Sequence, residues 1–377
     1  MRYLGTKKMR PTFLLVLVAA ICSGQTAQPV SLTNADFASS IPVMAMGSGE
    51  TLYVAYRSFN RMKRSDHLEV AAYDAKTRKE VQRRTIAVPS VHGPRVADGL
   101  YLSNDGKMLA YAETHEPGFV LLISTKDLSE IRRSEHLPFA SEDRHRLFSG
   151  FDAKDSLAFA SNRPGGIRFI RIDTGTLKVV SEANTGGPHQ PDVGVGSIVW
   201  VPSERVTWIA TSPDVWKQYT EDGQATGQEL RHRGTTNGVL ALGNNEVLTF
   251  FGRWADGEVV TYKDHRTEEL KLQCSPHLYG TSNDPAYAGA ICTTSPDREP
   301  ERGGDKILSS EFLLLQLSGP SIIWRQEMSF INVAEGHGLD MWFQRGNPLI
   351  YRSGDQVRIV APGKSPELNF YEVALSK

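Results

Sequence analysis

Six of the ten histidines recur at a steady interval. His92, His145, His189, His232, His277 and His337 follow one another at the period of a repeating unit. Neutral imidazole ligates transition metals, and cationic side chains bind anions. Arg95, Arg144, Arg146, Asp192, Arg231, Arg233 and Asp340 accompany the histidines. The first unit lacks a histidine; Asp36 and Ser39 stand nearby. Brought together, these groups could hold a small polar or anionic ligand. Two or three of the imidazoles could instead hold a divalent metal as a cofactor. A plainer use is also open, in which each imidazole caps the start of a strand by bonding backbone. There is no HExxH or other local metal motif, so the expectation rests on the interval alone.

Other chemistries find less support. Ser149-Gly150 and Ser197 are not in a GxSxG elbow, and Gly194-x-Gly196 lacks the strand-to-helix context of a nucleotide fingerprint. Nothing fixes two carboxylates at a shared site. Trp200, Trp208, Trp216, Trp254, Trp324 and Trp342 suit packing better than ligand stacking, and Arg61-Met62-Lys63-Arg64 suits a solvated surface. Cys274 and Cys292 are too far apart for a CxxC pair. They form either a disulfide or two small buried residues in neighbouring strands.

The elements that must position the histidines are short strands. Runs of Val, Ile, Leu, Tyr and Phe alternate with clusters of Asn, Asp, Gly, Lys and Pro, and long amphipathic helices are missing. One four-strand unit recurs. In its second copy Val96–Leu102, Met108–Ala112, Val120–Ile123 and Leu128–Arg132 are the strands, with tight turns at Asn104-Asp105-Gly106 and Thr125-Lys126-Asp127. The third copy has Leu147–Phe151, Leu157–Ala160, Ile167–Ile172 and Leu177–Val180. Second strands are expected near residues 52, 109, 157, 206, 247, 288 and 349, the last at Leu349–Tyr351. A four-stranded sheet cannot bury its faces alone, and radial stacking covers them. The expectation is an all-β, seven-bladed β-propeller of four-stranded antiparallel blades. A six- or eight-bladed count follows if one weak unit is miscounted. Leu368–Leu375 completes the last blade, and Val30–Thr33 could add its outer strand.

Blade 1 reads ETLYVAYRS…LEVAAYDAKTRKEVQRRTIAV from Glu50 to Val88, and blade 3 reads FIRIDTGTLKVV from Phe169 to Val180. These units resemble the bacterial YVTN-type, quinoprotein-amine-dehydrogenase-like propeller repeats. The resemblance covers most of the chain by architecture and the first three blades by motif. It implies the fold and not the function, since this fold hosts enzymes, cofactor holders and binding platforms. No blade ends its third strand in Trp-Asp, so the units do not look like WD repeats.

The first residues read as an export signal. Arg2, Lys7, Lys8 and Arg10 precede the nine apolar residues Phe13–Ile21, followed by Cys22-Ser23-Gly24. Cleavage near Gly24 makes residues 1–24 the signal peptide and 25–377 a single propeller domain. A lipoprotein anchored at Cys22 is the alternative, although Ile21 stands where a small residue is expected. Cleavage takes four basic charges with it and leaves a formal net charge of −5. That balance gives no sign of nucleic-acid or membrane attraction, and no later stretch is long and apolar enough to span a bilayer. A secreted or periplasmic monomer is expected.

In a propeller, the loops entering each innermost strand share one end with the loops between second and third strands. The histidines and the longest loops, Ser58–Asp66 and Thr293–Glu311, fall at that end. The expected function is a ligand- or protein-binding module with its site at the channel mouth. A lactonase-like hydrolase or a metal-assisted polysaccharide lyase is the enzymatic alternative, and a cell-envelope interaction scaffold is the third.

Overall fold

The computed structural model describes residues 28–33, 35, 42–60, 65–89, 99–114, 118–139, 143–152, 154–163, 166–186, 198–201, 206–212, 215–220, 223–231, 238–243, 246–253, 256–263, 266–281, 286–294, 309–317, 321–327, 348–363 and 366–375. The β-branched and aromatic runs become strands, as such side chains do on a pleated, half-buried surface. Sheet 1 is β2 (Val43–Met46), β3 (Thr51–Asn60), β4 (Ser65–Asp74) and β5 (Lys79–Ala87). Sheet 2 is β6 (Gly99–Leu102), β7 (Met108–Glu113), β8 (Phe119–Ser124) and β9 (Glu130–Ser134). Sheet 3 is β10 (Arg144–Phe151), β11 (Leu157–Arg163), β12 (Gly166–Ile172) and β13 (Val179–Gly186). Sheet 4 is β14 (Ile198–Val201), β15 (Val206–Ser212), β16 (Val215–Thr220) and β17 (Ala225–Arg231). Sheet 5 is β18 (Gly238–Gly243), β19 (Glu246–Arg253), β20 (Asp256–Lys263) and β21 (Arg266–Leu272). Sheet 6 is β22 (Ser275–Thr281), β23 (Tyr287–Thr294), β24 (Ser309–Gln316) and β25 (Ser321–Glu327). The closing sheet is β26 (Leu349–Ser353), β27 (Gln356–Pro362), β28 (Glu367–Ala374) and, outermost, β1 (Gln28–Ser31).

All pairings are antiparallel. The first strands touch in sequence, β2 to β6 to β10 to β14 to β18 to β22 to β26, and β26 touches β2. The seven four-stranded sheets among the described residues therefore stand radially as the blades of a propeller.

The inner strands are buried on both faces, and alternation divides their side chains between two neighbours. Tyr53 and Ala55 of β3, with Leu68, Val70 and Ala72 of β4, pack on Leu109, Tyr111, Phe119, Leu121 and Ile123 of sheet 2. Leu52, Val54 and Tyr56 of the same β3 pack on Tyr351, Val360, Leu368 and Phe370 of the closing sheet. Ala110 and Ala112 of β7 face Phe148, Phe159 and Ile170 of sheet 3. Each buried Leu or Phe contributes about 1.5–3 kcal/mol.

The closing sheet corrects one expectation. Leu349–Tyr351 lies in β26, the innermost strand, and the second strand is β27. Because β1 supplies the outermost strand, only three strands come from the C-terminal end. Val30 pairs with Leu368, and Leu32 is buried beside them, its N–H donating to the Pro366 carbonyl at 2.8 Å. Between the closing sheet and sheet 1, Arg358 pairs with Glu50 and Glu372 with Arg78 (3.3 Å), while within the closing sheet Arg358 pairs with Glu372 at 3.2 Å.

Two more corrections concern turns. Leu128 and Leu177 do not begin fourth strands; they end five-residue turns in left-handed conformation, with φ of 54° and 53°. Arg78 holds the same place in sheet 1, with φ of 59°. The N–H of each donates to the carbonyl four residues back, Asp74 (2.7 Å), Ser124 (2.9 Å) or Asp173 (2.8 Å). Asp74 and Asp173 also accept the N–H groups of Thr77 (2.6 Å) and Thr176 (2.8 Å) through side-chain oxygens. A left-handed residue after a tight turn puts a bulge in the ladder. The register shifts at Ala72/Tyr73, Leu122/Ile123 and Arg171/Ile172 are those bulges.

Candidate functional site

The strand bounds separate the two ends of the ring. At one, the turn end, every connection within a sheet is short, the longest being 173–178 between β12 and β13. At the other, the loop end, the connections between sheets include the long segment 328–348, and one hairpin connection takes up 295–308.

By their place in the chain, the residues singled out by the histidine interval fall in connections between sheets or at the strand starts that follow them. His92 and Arg95 fall between β5 and β6, His189 and Asp192 between β13 and β14, His232 and Arg233 between β17 and β18, and His337 and Asp340 between β25 and β26. These eight lie outside the described residues, as do Asp36 and Ser39. Arg144, His145 and His277 do not precede their strands but lie within them, at the loop-end starts of β10 and β22. Register shifts between Arg144 and Leu147 and between Pro276 and Leu278 place both histidines in bulges, which let a strand begin early. The other four stand at unequal distances ahead of their strands, from His232, nearest to its strand at Gly238, to His337, farthest from its strand at Leu349. The regular interval therefore reflects the length of a blade more than one repeated structural position.

The described loop-end groups form ion networks, one between two blades and one within a blade. Alternation along β3 continues Tyr53 and Ala55 into Arg57, and alternation along β7 continues Leu109 and Tyr111 into Glu113. Both apolar ladders thus end in charge where they reach the loop end. Arg57 donates through Nε and Nη2 to both oxygens of Glu113 (2.5 and 2.9 Å), and through Nη1 to Asp66 (3.3 Å) and the Pro89 carbonyl (3.1 Å). Its guanidinium lies over Phe119, 5.3 Å from the ring centre. Burial pulls the guanidinium pKa down, but Glu113 and Asp66 outweigh it and hold it above its ordinary value. The Tyr111 hydroxyl donates to Glu113 at 2.7 Å. Burial, then the Glu113 charge, pushes that phenol well above its usual range.

Sheet 3 carries the second network, within the blade and the connection that leads into it. Arg168 follows Ile172 and Ile170 on the face turned to sheet 2. It donates to Asp143 (2.7 Å), the Pro138 carbonyl (2.9 Å) and both oxygens of Glu182 (2.8 and 3.0 Å). The hydrogen bond from Arg168 holds Glu182 below the usual carboxylate range. Arg146 lies over Phe139 at 5.0 Å and donates to the Asp143 and Thr114 carbonyls at 3.2 and 3.3 Å.

These groups are engaged with one another, so they fix how neighbouring blades dock and leave little for a substrate. They are absent from the sequence-derived candidates, apart from Arg146. Their signal was a charged residue at the buried parity of an apolar strand, as in Tyr53-x-Ala55-x-Arg57.

Cys274 and Cys292 form a disulfide, with Cα atoms 5.6 Å apart and both residues buried. Cys274 occupies the two-residue link between β21 and β22, and Cys292 lies in β23. The bridge braces the root of sheet 6, where both of the longest loop-end connections start. Closing its 18-residue separation stabilises by about 3 kcal/mol on the chain-entropy account. Among the described residues, no group of three or more His, Cys, Asp or Glu side chains could hold a metal. Nor among them is any helix long and apolar enough to cross a membrane.

No protein-family profile matches the chain, and no curated protein matches it in sequence. Among solved structures, it is similar to a chain of the Mitotic Checkpoint Complex, at 10% identity and a TM-score of 0.54, over 100% of this chain and 99% of that one. It is also similar to the β-propeller domain of Cps50 (Swd1) from Myceliophteria thermophila, at 12% identity and a TM-score of 0.52, over 92% of this chain and 100% of that one. At such identities the likeness is one of fold. The chain is a β-propeller of four-stranded antiparallel blades.

Proposed function

We propose that this chain is an exported, seven-bladed, YVTN-like propeller that acts as a binding module, with the loop end as its recognition face. The observation that carries the reading is the asymmetry of the ring: every long connection leaves the loop end. Loops held on a rigid scaffold are where binding residues concentrate. The two longest leave sheet 6, which the disulfide braces, and such a bridge suits an oxidising compartment outside the cytosol. The histidines and arginines in these connections favour a polar or anionic group on the ligand. One of the similar structures is by its name a protein complex, and a protein partner is the kind of ligand proposed here. The N-terminal segment serves as the signal peptide, cut near Gly24.

Deletion of Pro300–Gly304 and the His189→Ala/His232→Ala double variant test this. The expected result is loss of a partner captured by the wild-type mature chain from the exporting cell's envelope extract, with thermal unfolding unchanged. Unimpaired capture by both variants overturns the site. A stoichiometric divalent metal in the purified protein, lost in the double variant, would favour the enzymatic alternative instead.

A further inference from the structure

The outer rim of the ring carries a second surface. The outermost strands of sheets 3 to 6 and of the closing sheet, β13, β17, β21, β25 and β1, each carry a net charge of zero or minus one. The outermost strands of sheets 1 and 2 differ. Together β5 and β9 hold five cationic side chains (Lys79, Arg83, Arg84, Arg132 and Arg133) against two anionic ones (Glu80 and Glu130), in a chain of formal charge −1.

Within each strand one pair neutralises itself. Arg83 donates to Glu80 at 3.0 Å, and Arg133 donates to Glu130 at 3.1 Å. Lys79, Arg84 and Arg132 remain exposed and have no ion-pair contact among the described residues, although the field of Arg84 reaches Asp127. Two aliphatic side chains stand among them, Val81 at 69% exposure and Ile131 at 46%. The two strands form one continuous surface, because Arg133 of β9 donates to the Ala87 carbonyl at the end of β5 (2.8 Å). β5 is nine residues long and pairs with β4 along one edge, which leaves its other edge as the outer edge of the sheet.

We propose that the rim of sheets 1 and 2 docks an acidic polypeptide segment, added as an extended strand along β5. Main-chain hydrogen bonds to an outer edge give such a segment affinity, and its alternate side chains give specificity. Carboxylates would meet Lys79, Arg84 and Arg132, and aliphatic side chains would meet Val81 and Ile131. Charge complementarity selects the partner: a basic segment would face like charge at every position where this rim is open. The surface is separate from the loop end and does not depend on the function proposed there.

The test uses the full mature chain and fluorescence anisotropy with two labelled nine-residue peptides, one alternating glutamate and valine, the other lysine and valine. The expected result is saturable binding of the glutamate peptide alone, weakening as salt is raised. Lys79→Glu/Arg84→Glu/Arg132→Glu should weaken it by about tenfold or more. Val81→Thr/Ile131→Thr, which leaves the charges in place, should weaken it by less, and the far-UV spectrum and thermal midpoint check that both variants fold. Equal binding of the two peptides, or none at about 1 mM, overturns the proposal and leaves the cations as guards against edge-to-edge association. Co-sedimentation with phosphatidylserine vesicles in place of peptide binding also overturns it, in favour of a membrane surface.

Discussion

At the turn end of the ring, Asp74, Asp127 and Asp173 accept hydrogen bonds within their own turns. At the loop end, Arg57 and Glu113 meet across two sheets from positions 56 residues apart. The first kind of charge is local, exposed and repeated from blade to blade. The second is buried and specific to one interface. Turn-end polarity sets the register of each hairpin. Loop-end polarity sets how one blade sits on the next, and so holds the frame from which the long connections depart.

The largest expected effect breaks the loop-end pair. Arg57→Leu or Glu113→Leu alone should cost about 3–5 kcal/mol, because the partner charge stays buried without compensation. The double variant should recover most of that loss. The turn-end pair Glu50–Arg358 is partly exposed, and Glu50→Gln should cost about 1 kcal/mol or less. Urea unfolding of the four variants reads the contrast, and equal costs at the two ends would remove it.

Next in size, Cys274→Ser/Cys292→Ser should lose about 3 kcal/mol. Hydrogen exchange should rise first in β22 and β23 and leave the turns of sheets 1 to 3 protected. A uniform rise would mean that the bridge steadies the whole ring rather than the root of sheet 6.

A smaller loss, about 1 kcal/mol, is expected for Asp173→Ala, which removes the acceptor for the Thr176 N–H and hydroxyl. Because that turn acts locally, the substitution should leave the Arg168 network intact. The chemical shifts of the Arg168 side chain check this.

The last prediction concerns acid. The carboxylates of Glu50 and Glu182 are held low, by hydrogen bonds from Ser353 and Arg358 and from Arg168 respectively. Asp105 is held at about 2, chiefly by the Lys107 backbone N–H. A carboxylate depressed in the folded state contributes stability that is present above its unfolded value, roughly pH 4, and fades as pH falls through the folded value. Unfolding free energy should therefore be flat from neutral pH to about 5 and fall below about 4. Carbon-detected titration should find Asp105 still ionised near pH 3, and an ordinary titration there would place its turn differently in solution.

Much of the fold was open to inspection along the chain. Strands such as Met108–Glu113 and Leu157–Arg163 announce themselves by composition, and Asp74-Ala75-Lys76-Thr77 by turn chemistry. Leu128 and Leu177 were harder. Leucine favours regular structure, and only the closed five-residue turn forces it into left-handed backbone. The histidines were legible as an interval but not as a place, because connections of different lengths carry them to different distances from their strands. Arg57, Glu113 and Arg168 were hidden in plain alternation, since nothing along one strand says which strand of another blade will face it.

By itself the sequence determined what acts over a few residues: where most strands run, where turns close, and that a four-strand unit recurs. The sequence offered Val30–Thr33 as the outer strand of the last blade; the tertiary structure fixed it as Gln28–Ser31, made Leu349–Tyr351 innermost and brought Arg57 to Glu113. The reason is physical. Alternation and turn geometry are settled between neighbours in the chain, whereas closure of a ring joins the two far ends of the sequence, and only the assembled blades bring them within bonding distance.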